Sequence, residues 1–402
     1  MFHVPFARLT VAALAFHSLS ASAESIEVDL HGAIDRAHRA APEAIAARSR
    51  IREAEAGIVG AEVTFTTNPE VEGGAGPRFT GNRPIDAELR IEQDLQPWRR
   101  SPRRQLARAE VAKATADADA QVRELDLEVA LAFCEALHAD LEVALAQHAA
   151  ELAQRGAATA DRRRQAGEIT DLDANLAKAA LGRARSAVEA EATERAVAVG
   201  RLAALIGAGA ADTVSLRGDL KPPPLPKPSD PSSRADVRAL DREADTAIAE
   251  AVQARAHGRP NIGVWLGYQR EDTVGIVLAG LRLSLPIWNR AQGERAAAAA
   301  KEHRAREMRD ATVHVATRQI ADAVAAYQAA ERAVATFERE VVPTLDDSEK
   351  LLDKTLDAGQ IAVSEYLFAR QELLNGRREQ LDRLLALAKT AVAARYAMGV
   401  AP

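Results

Sequence analysis

Two periodicities run along this chain, and each appears twice. Between residues 70 and 95, Ala87, Leu89 and Ile91 alternate with Asp86, Glu88, Arg90 and Glu92. A period of two places apolar side chains on one face of a strand and charged ones on the other. The run Gly76-Pro77-Arg78-Phe79-Thr80-Gly81-Asn82-Arg83-Pro84 reads as the loop of a hairpin from its Gly, Pro and Asn. Downstream, Asn261–Arg270 and Gly275–Leu285 are predicted to form a second pair of strands. There Val277, Ala279, Leu281, Leu283 and Leu285 alternate with Leu278, Gly280, Arg282 and Ser284.

The rest of the pattern is helical. Residues 28–66 read as helix broken at Pro42, with Ile45, Ile51, Ala54, Ile58 and Val63 at roughly helical spacing, and Asn68-Pro69 stops them. From Arg99 to Ala166 there is no glycine before Gly156 and no proline after Pro102. Ala, Leu, Glu, Arg and Gln dominate that stretch, which predicts one helix about 100 Å long. Gly167 breaks it in a tight turn, and a second helix runs from about Asp171 to Ile206, ending at Gly207. In the other half, residues 234–257 are expected to be helical, stopped by Gly258-Arg259-Pro260. Arg290–Asp357 is expected to be the second long helix, interrupted only by Gly293 near its start and by Pro343, with Ile361–Met398 as its return.

The two halves are therefore copies. Asp94-Leu95-Gln96-Pro97-Trp98-Arg99-Arg100 is answered by Ser284-Leu285-Pro286-Ile287-Trp288-Asn289-Arg290, and Gln165-Ala166-Gly167-Glu168-Ile169 by Asp357-Ala358-Gly359-Gln360-Ile361. The offset is 190 residues at Trp98/Trp288 and 192 at both Gly167/Gly359 and Gly207/Gly399. Solenoid repeats are far shorter, so this is a two-fold duplication of one unit: helix, hairpin, very long helix, turn, helix. The expected organisation is a first repeat over 24–207, a Pro-rich strap over 208–233, and a second repeat over 234–402. In the strap, the run from Lys221 to Pro231 holds six prolines and reads as an extended linker.

Composition narrows the class. Residues 1–23 have the form of a secretory signal peptide: Arg8, then the apolar run Val11–Phe16, then Ala21-Ser22-Ala23 before Glu24. The single cysteine, Cys134, lies far from that cleavage site, so no lipid anchor at an N-terminal Cys is expected, and no intrachain disulfide can form. After the leader there is no apolar run of about 18 residues that could make a transmembrane helix. Hydrophobic residues make up 47% of the chain, but aromatics only 4%, so the helices should pack small side chains along narrow seams. Charged residues are 27% with a net charge of −6, which excludes a nucleic-acid binder.

The strands carry the strongest constraint. An open sheet edge is forbidden in lipid, and transmembrane barrels need about eight strands or more. Four strands per chain therefore require an oligomer if they cross a membrane, with the apolar face turned to lipid and the charged face to water. The alternative is a periplasmic coiled-coil adaptor or scaffold with two small hairpins as caps. An adaptor, however, should carry one long helical hairpin between β-rich domains, and here there are two.

No catalytic constellation has useful spacing, so no enzyme and no cofactor are expected. Cys134 and His138 stand one helical turn apart with Glu135 nearby, but two ligands fall short of the four that zinc wants, and both side chains read as packing residues. His303 and His314 are too far apart along a helix, about 16 Å, to share an ion.

Taken together, the leader, the duplicated unit, the two hairpins, the long helices and the strap resemble the TolC-type outer-membrane efflux channels over essentially the whole mature chain. The chain looks most like the CzcC-like heavy-metal branch. The resemblance is carried by Asn68-Pro69-Glu70, Trp98-Arg99-Arg100 with Arg103-Arg104, Gln165–Ile169, and Leu283-Ser284-Leu285-Pro286-Ile287-Trp288-Asn289-Arg290. It implies a mainly α fold with a small β part, and a homotrimer whose twelve strands close one transmembrane barrel above a long α-helical periplasmic tunnel. It also implies a passive conduit in the outer membrane of a Gram-negative bacterium. Solutes, heavy-metal cations among them, would come from an inner-membrane resistance-nodulation-division pump through a periplasmic adaptor. The turns Gly167-Glu168-Ile169 and Gly359-Gln360-Ile361 fall where the family's adaptor-docking tips lie, although polar Glu168 and Gln360 stand where the family often has leucine. Six residues beyond each glycine stand Asp173 and Glu365, at the place of the family's acidic entrance rings, with Tyr366 and Arg370 as candidate entrance contacts.

Overall fold

The computed structural model describes residues 25–79, 85–227, 229–271, 274–358 and 360–401. The expected leader, the hairpin-loop residues 80–84 and Gly359 lie outside the described residues.

The chain begins with β1 (Ser25–Val28), α1 (Leu30–Ala40) and α2 (Pro42–Glu62). Asp29 caps α1 by accepting the Gly32 N–H at 2.8 Å, and Pro42 both ends α1 and starts α2, holding Ala41 in an extended conformation. The first hairpin is β2 (Glu70–Pro77) and β3 (Ile85–Asp94), followed by α3 (Arg100–Gln165) and α4 (Asp171–Leu205). After β4 (Thr213–Leu216) the strap leads to α5 (Ala235–His257), then β5 (Asn261–Glu271), β6 (Val274–Ser284), α6 (Gln292–Glu340), α7 (Val342–Asp357) and α8 (Val363–Ala397). Helix α3 has 66 residues without a break, a rod of about 100 Å.

Several expected bounds needed correction. Strands β1 and β4 pair in parallel, Ser25 opposite Thr213 through Val28 opposite Leu216. So Val28 belongs to a strand, the following helices end at Glu62 rather than residue 66, and part of the segment expected as strap is ladder. Four residues are too few to show a period, and their partners are far apart in sequence. The interruption expected at Pro343 is present: the second long helix stops at Val341 and restarts as α7. Pro343 cannot donate to the Arg339 carbonyl and its ring collides with it, so the break falls just before the proline. Gly293, by contrast, sits in the first turn of α6 without interrupting it, and that helix begins at Gln292 instead of Arg290.

The other four strands form one antiparallel sheet in the order β2-β3-β5-β6. Its register places Val71, Ile91, Leu266 and Ala279 in one row and Leu89, Tyr268 and Val277 in the next. These side chains share one face and are exposed: Val71 64%, Leu89 55%, Leu266 51%, Val277 68%. The other face is tied by ion pairs, Arg282 to Glu92 and Asp94, and Arg78 to Asp86 and Glu271. On that face the Arg90 guanidinium lies 4.3 Å from the centre of the Trp265 ring. A Cβ at Gly280 would stand 2.7 Å from that ring, so the indole lies flat across the glycine.

The core is a seam of small residues. Its thickest part surrounds Leu125–Leu137 of α3, where Val129, Ala130 and Ala136 are fully buried against α1, α4, α8 and the β1–β4 ladder. Leu202, Ile206 and Leu220 fill the same cluster. The strap is fastened to it: the Arg217 N–H donates to the Val28 carbonyl, Lys221 pairs with Glu338 at 3.1 Å, and Arg395 donates to the carbonyls of Pro223 and Pro224. Buried Arg234 closes its far end, joining Asp236, Gln319 and the Ala397 carbonyl.

Candidate functional site

The end of the bundle opposite the sheet is built by two helix turns. At the first, Gly167 has φ +76°, the Glu168 N–H donates to the Arg163 carbonyl and the Gly167 N–H to that of Arg164. This is the hydrogen-bond pattern of a helix closed by a left-handed glycine. At the second turn the Gln360 N–H donates to the Thr355 carbonyl, the corresponding bond. The tips differ in charge: Glu168 pairs with Arg163 at 3.2 Å and Asp171 with Arg164 at 3.4 Å, while Gln360 replaces the acid in the other copy. Ile169 is half-buried and packs with Ala157, Ala160, Ala177, Leu181, Val363 and Leu367, so the starts of α4 and α8 meet there. Ile361 is also half-buried.

Asp173 and Glu365 stand at this end, at the same place in their helices, the third position of α4 and of α8. That position has its own physical reason for an acid. The Asp173 carboxylate accepts the Thr170 hydroxyl at 2.7 Å and its backbone N–H at 3.3 Å, while the Asp173 N–H donates to the Thr170 hydroxyl, closing a capping box. The pattern Thr170-x-x-Asp173 was visible in the sequence and went unread. In the second copy Ala362 supplies no side-chain cap, and Glu365 is exposed. The capping box accounts for Asp173, whereas Glu365 has no capping partner in Ala362 and shares with Asp173 only its place in the first turn of a helix, where the dipole favours an acid.

Tyr366 and Arg370 face the long helix of the first copy. Tyr366 is 3% exposed and sits on Gly156, where a Cβ would stand 3.2 Å from its ring. Arg370 donates to the Tyr366 hydroxyl at 2.6 Å and to the Ala149 carbonyl at 3.2 Å. Both residues therefore pin α8 to α3 near the helix turns. Tyr366→Ala is expected to leave a cavity costing about 3–5 kcal/mol. The check is faster hydrogen exchange at the start of α8, with the sheet amides unchanged.

Further along α3 and α8 lies a polar cluster inside the alanine seam. His138 Nε2 is 3.3 Å from Asp382 and 3.8 Å from Glu142. Arg378 contacts the second Glu142 oxygen at 3.5 Å and donates to Glu191 at 2.8 Å. Burial pushes the Glu142 carboxyl up to about 7, against the pull of Arg378, and pushes the His138 imidazole down, against the pull of Asp382. Cys134 takes no part: its buried thiol, pushed up to about 11, lines a groove beneath the strap with Phe133 and Leu137. The i,i+4 pair His138 and Glu142 was readable in the sequence; Asp382, brought in by α8, was not.

No protein-family model matches the chain. The cobalt-zinc-cadmium resistance protein CzcC of Cupriavidus metallidurans is 27% identical over 355 residues, 84% of this chain and 82% of that protein. Among solved structures, one of CusC superposes with a TM-score of 0.73 at 19% identity, covering 95% of this chain and 96% of that one. The CmeC outer-membrane channel of Campylobacter jejuni superposes with a TM-score of 0.73 at 15% identity, covering 99% and 94%. Over nearly its full length, then, the chain has the fold of an outer-membrane efflux channel. In sequence it is similar to CzcC, and in fold to the outer-membrane efflux channels.

Proposed function

We propose that three copies of this chain close a 12-stranded barrel and a continuous helical tunnel, forming the passive outer-membrane conduit of a tripartite efflux system. The observation that carries this reading is the sheet. Its edge strands β2 and β6 have no partner among the described residues, one face is apolar and exposed, and the other is ion-paired. A sheet of that kind is stable in lipid only when closed on itself, and one chain supplies too few strands. Trp98 and Trp288 follow the last strands of the two hairpins and are 45% and 88% exposed. Indoles at that height suit the membrane–water boundary. An inner-membrane resistance-nodulation-division pump supplies the solute through an adaptor seated on Gly167-Glu168-Ile169 and Gly359-Gln360-Ile361. Heavy-metal cations are the cargo that the likeness to CzcC favours. The test is fractionation with outer membranes and heat-modifiable migration as a trimer; recovery as a soluble periplasmic monomer would refute the channel.

In the trimer Asp173 and Glu365 ring the periplasmic end with six carboxylates, which favours cations. Asp173→Asn with Glu365→Gln is expected to move the cation/anion permeability ratio in planar bilayers toward one. An unchanged ratio would sink the ring.

A further inference from the structure

We infer that His138, Glu142 and Asp382 form a site for a borderline divalent transition-metal cation, of the Zn2+ or Co2+ kind, between α3 and α8. The inference does not lean on what the channel exports, since it is read from these two helices alone.

The three ligand atoms all lie within 4.8 Å of one another. In a tetrahedral site with bonds of about 2.0–2.1 Å, neighbouring ligand atoms stand about 3.3 Å apart. The His138–Asp382 separation is already 3.3 Å and the His138–Glu142 separation 3.8 Å, so small side-chain rotations complete the geometry. His138 and Glu142 stand one turn apart on a rigid helix, which fixes two ligands before any ion arrives. The third comes from a helix already packed against it, so little ordering remains at binding.

The polar groups are also poised for an ion. His138 Nε2 is buried and lies between two carboxylates, 3.3 Å from Asp382 and 3.8 Å from Glu142, with no well-formed hydrogen bond to either. Buried polar atoms are normally paired; the carboxylates of Asp382 and Glu142 lie nearest to this one, and the Lys389 charge bears on the same imidazole. Glu142 is 8% exposed; Arg378 lies 3.5 Å from its Oε2, while its Oε1 is turned toward the histidine. Asp382 is 69% exposed at the side chain, which gives an ion a way in and a water molecule room to fill the fourth position. One imidazole and two carboxylates are a donor set for zinc, cobalt or nickel, and lack the thiolate that selects copper(I).

The test uses the full-length untagged protein, purified in detergent and stripped with a chelator. Zn2+ is titrated calorimetrically, and Co2+ is followed by its visible absorption. One saturable site per chain is expected, with a Co2+ band typical of low coordination. Asp382→Asn should weaken binding by at least about tenfold, as loss of a ligand does, and His138→Gln should do the same. Because Asp382 is mostly exposed, its variant folds normally, and unchanged circular dichroism checks this. Absence of saturable binding overturns the site, as does binding that survives both substitutions, since the ion would then sit elsewhere.

Discussion

Leu266→Arg is expected to abolish recovery of the assembled protein from outer membranes. Leu266 lies in β5, an inner strand of the sheet, with Ile91 on one side and Ala279 on the other, and its side chain is on the exposed apolar face. An arginine facing lipid near the bilayer midplane costs about 2–4 kcal/mol, and a trimer incurs that cost three times. Gln269→Arg is the control. It lies on the same strand but on the opposite face, where Gln269 already bonds to Glu271 at 3.0 Å. A water-facing charge there should be tolerated. The measurement is trimer yield on unheated gels of purified outer membranes. Equal yields for the two variants would mean that the apolar face does not meet lipid.

Gly207→Val is expected to destabilise the helical part by about 2–5 kcal/mol, combining the strain of a left-handed residue with overpacking. Gly207 ends α4 with φ +67°, and a Cβ there would stand 2.4 Å from the Ala40 Cβ at the end of α1. The methyl of Ala40 thus occupies the space that any side chain at 207 needs. Gly167 has nearly the same backbone, φ +76°, but no atom within 4 Å of its would-be Cβ. Gly167→Ala should therefore cost only the conformational strain, about 1–2 kcal/mol. Thermal unfolding followed at 222 nm separates the two. A Gly207→Val curve no lower than that of Gly167→Ala would mean that α1 does not close over the end of α4.

The elements legible in the sequence were those with long, clean periods. The strands of the large sheet and helices α3, α4, α5 and α8 fall within a few residues of their expected bounds because alternation, helix formers and glycine stops all agree there. What stayed hidden depended on partners distant in sequence. The β1–β4 ladder joins two four-residue segments. Asp382 reaches His138 only because α8 packs on α3. Of the candidate site, the register of Asp173 with Glu365 was visible as a repeat, but the capping bond that accounts for Asp173 was not read. Tyr366 and Arg370 were legible as candidate entrance contacts between helices, and the structure adds what they touch within the chain, Gly156 and Ala149 on α3.

The unbroken α3 and the broken α6–α7 give the two copies different lever arms. A sideways shift of 3 Å, taken as an arbitrary yardstick, at the far end of a rod about 100 Å long turns its root by only about 2°. The same shift at the end of α7, whose 16 residues span about 24 Å, needs roughly 7° at Val341. Proline has already removed a hydrogen bond at that joint, so the angle is taken up there with little further loss. Motion at the far end of the second copy can thus be absorbed locally, and the four-stranded sheet is mechanically insulated from it.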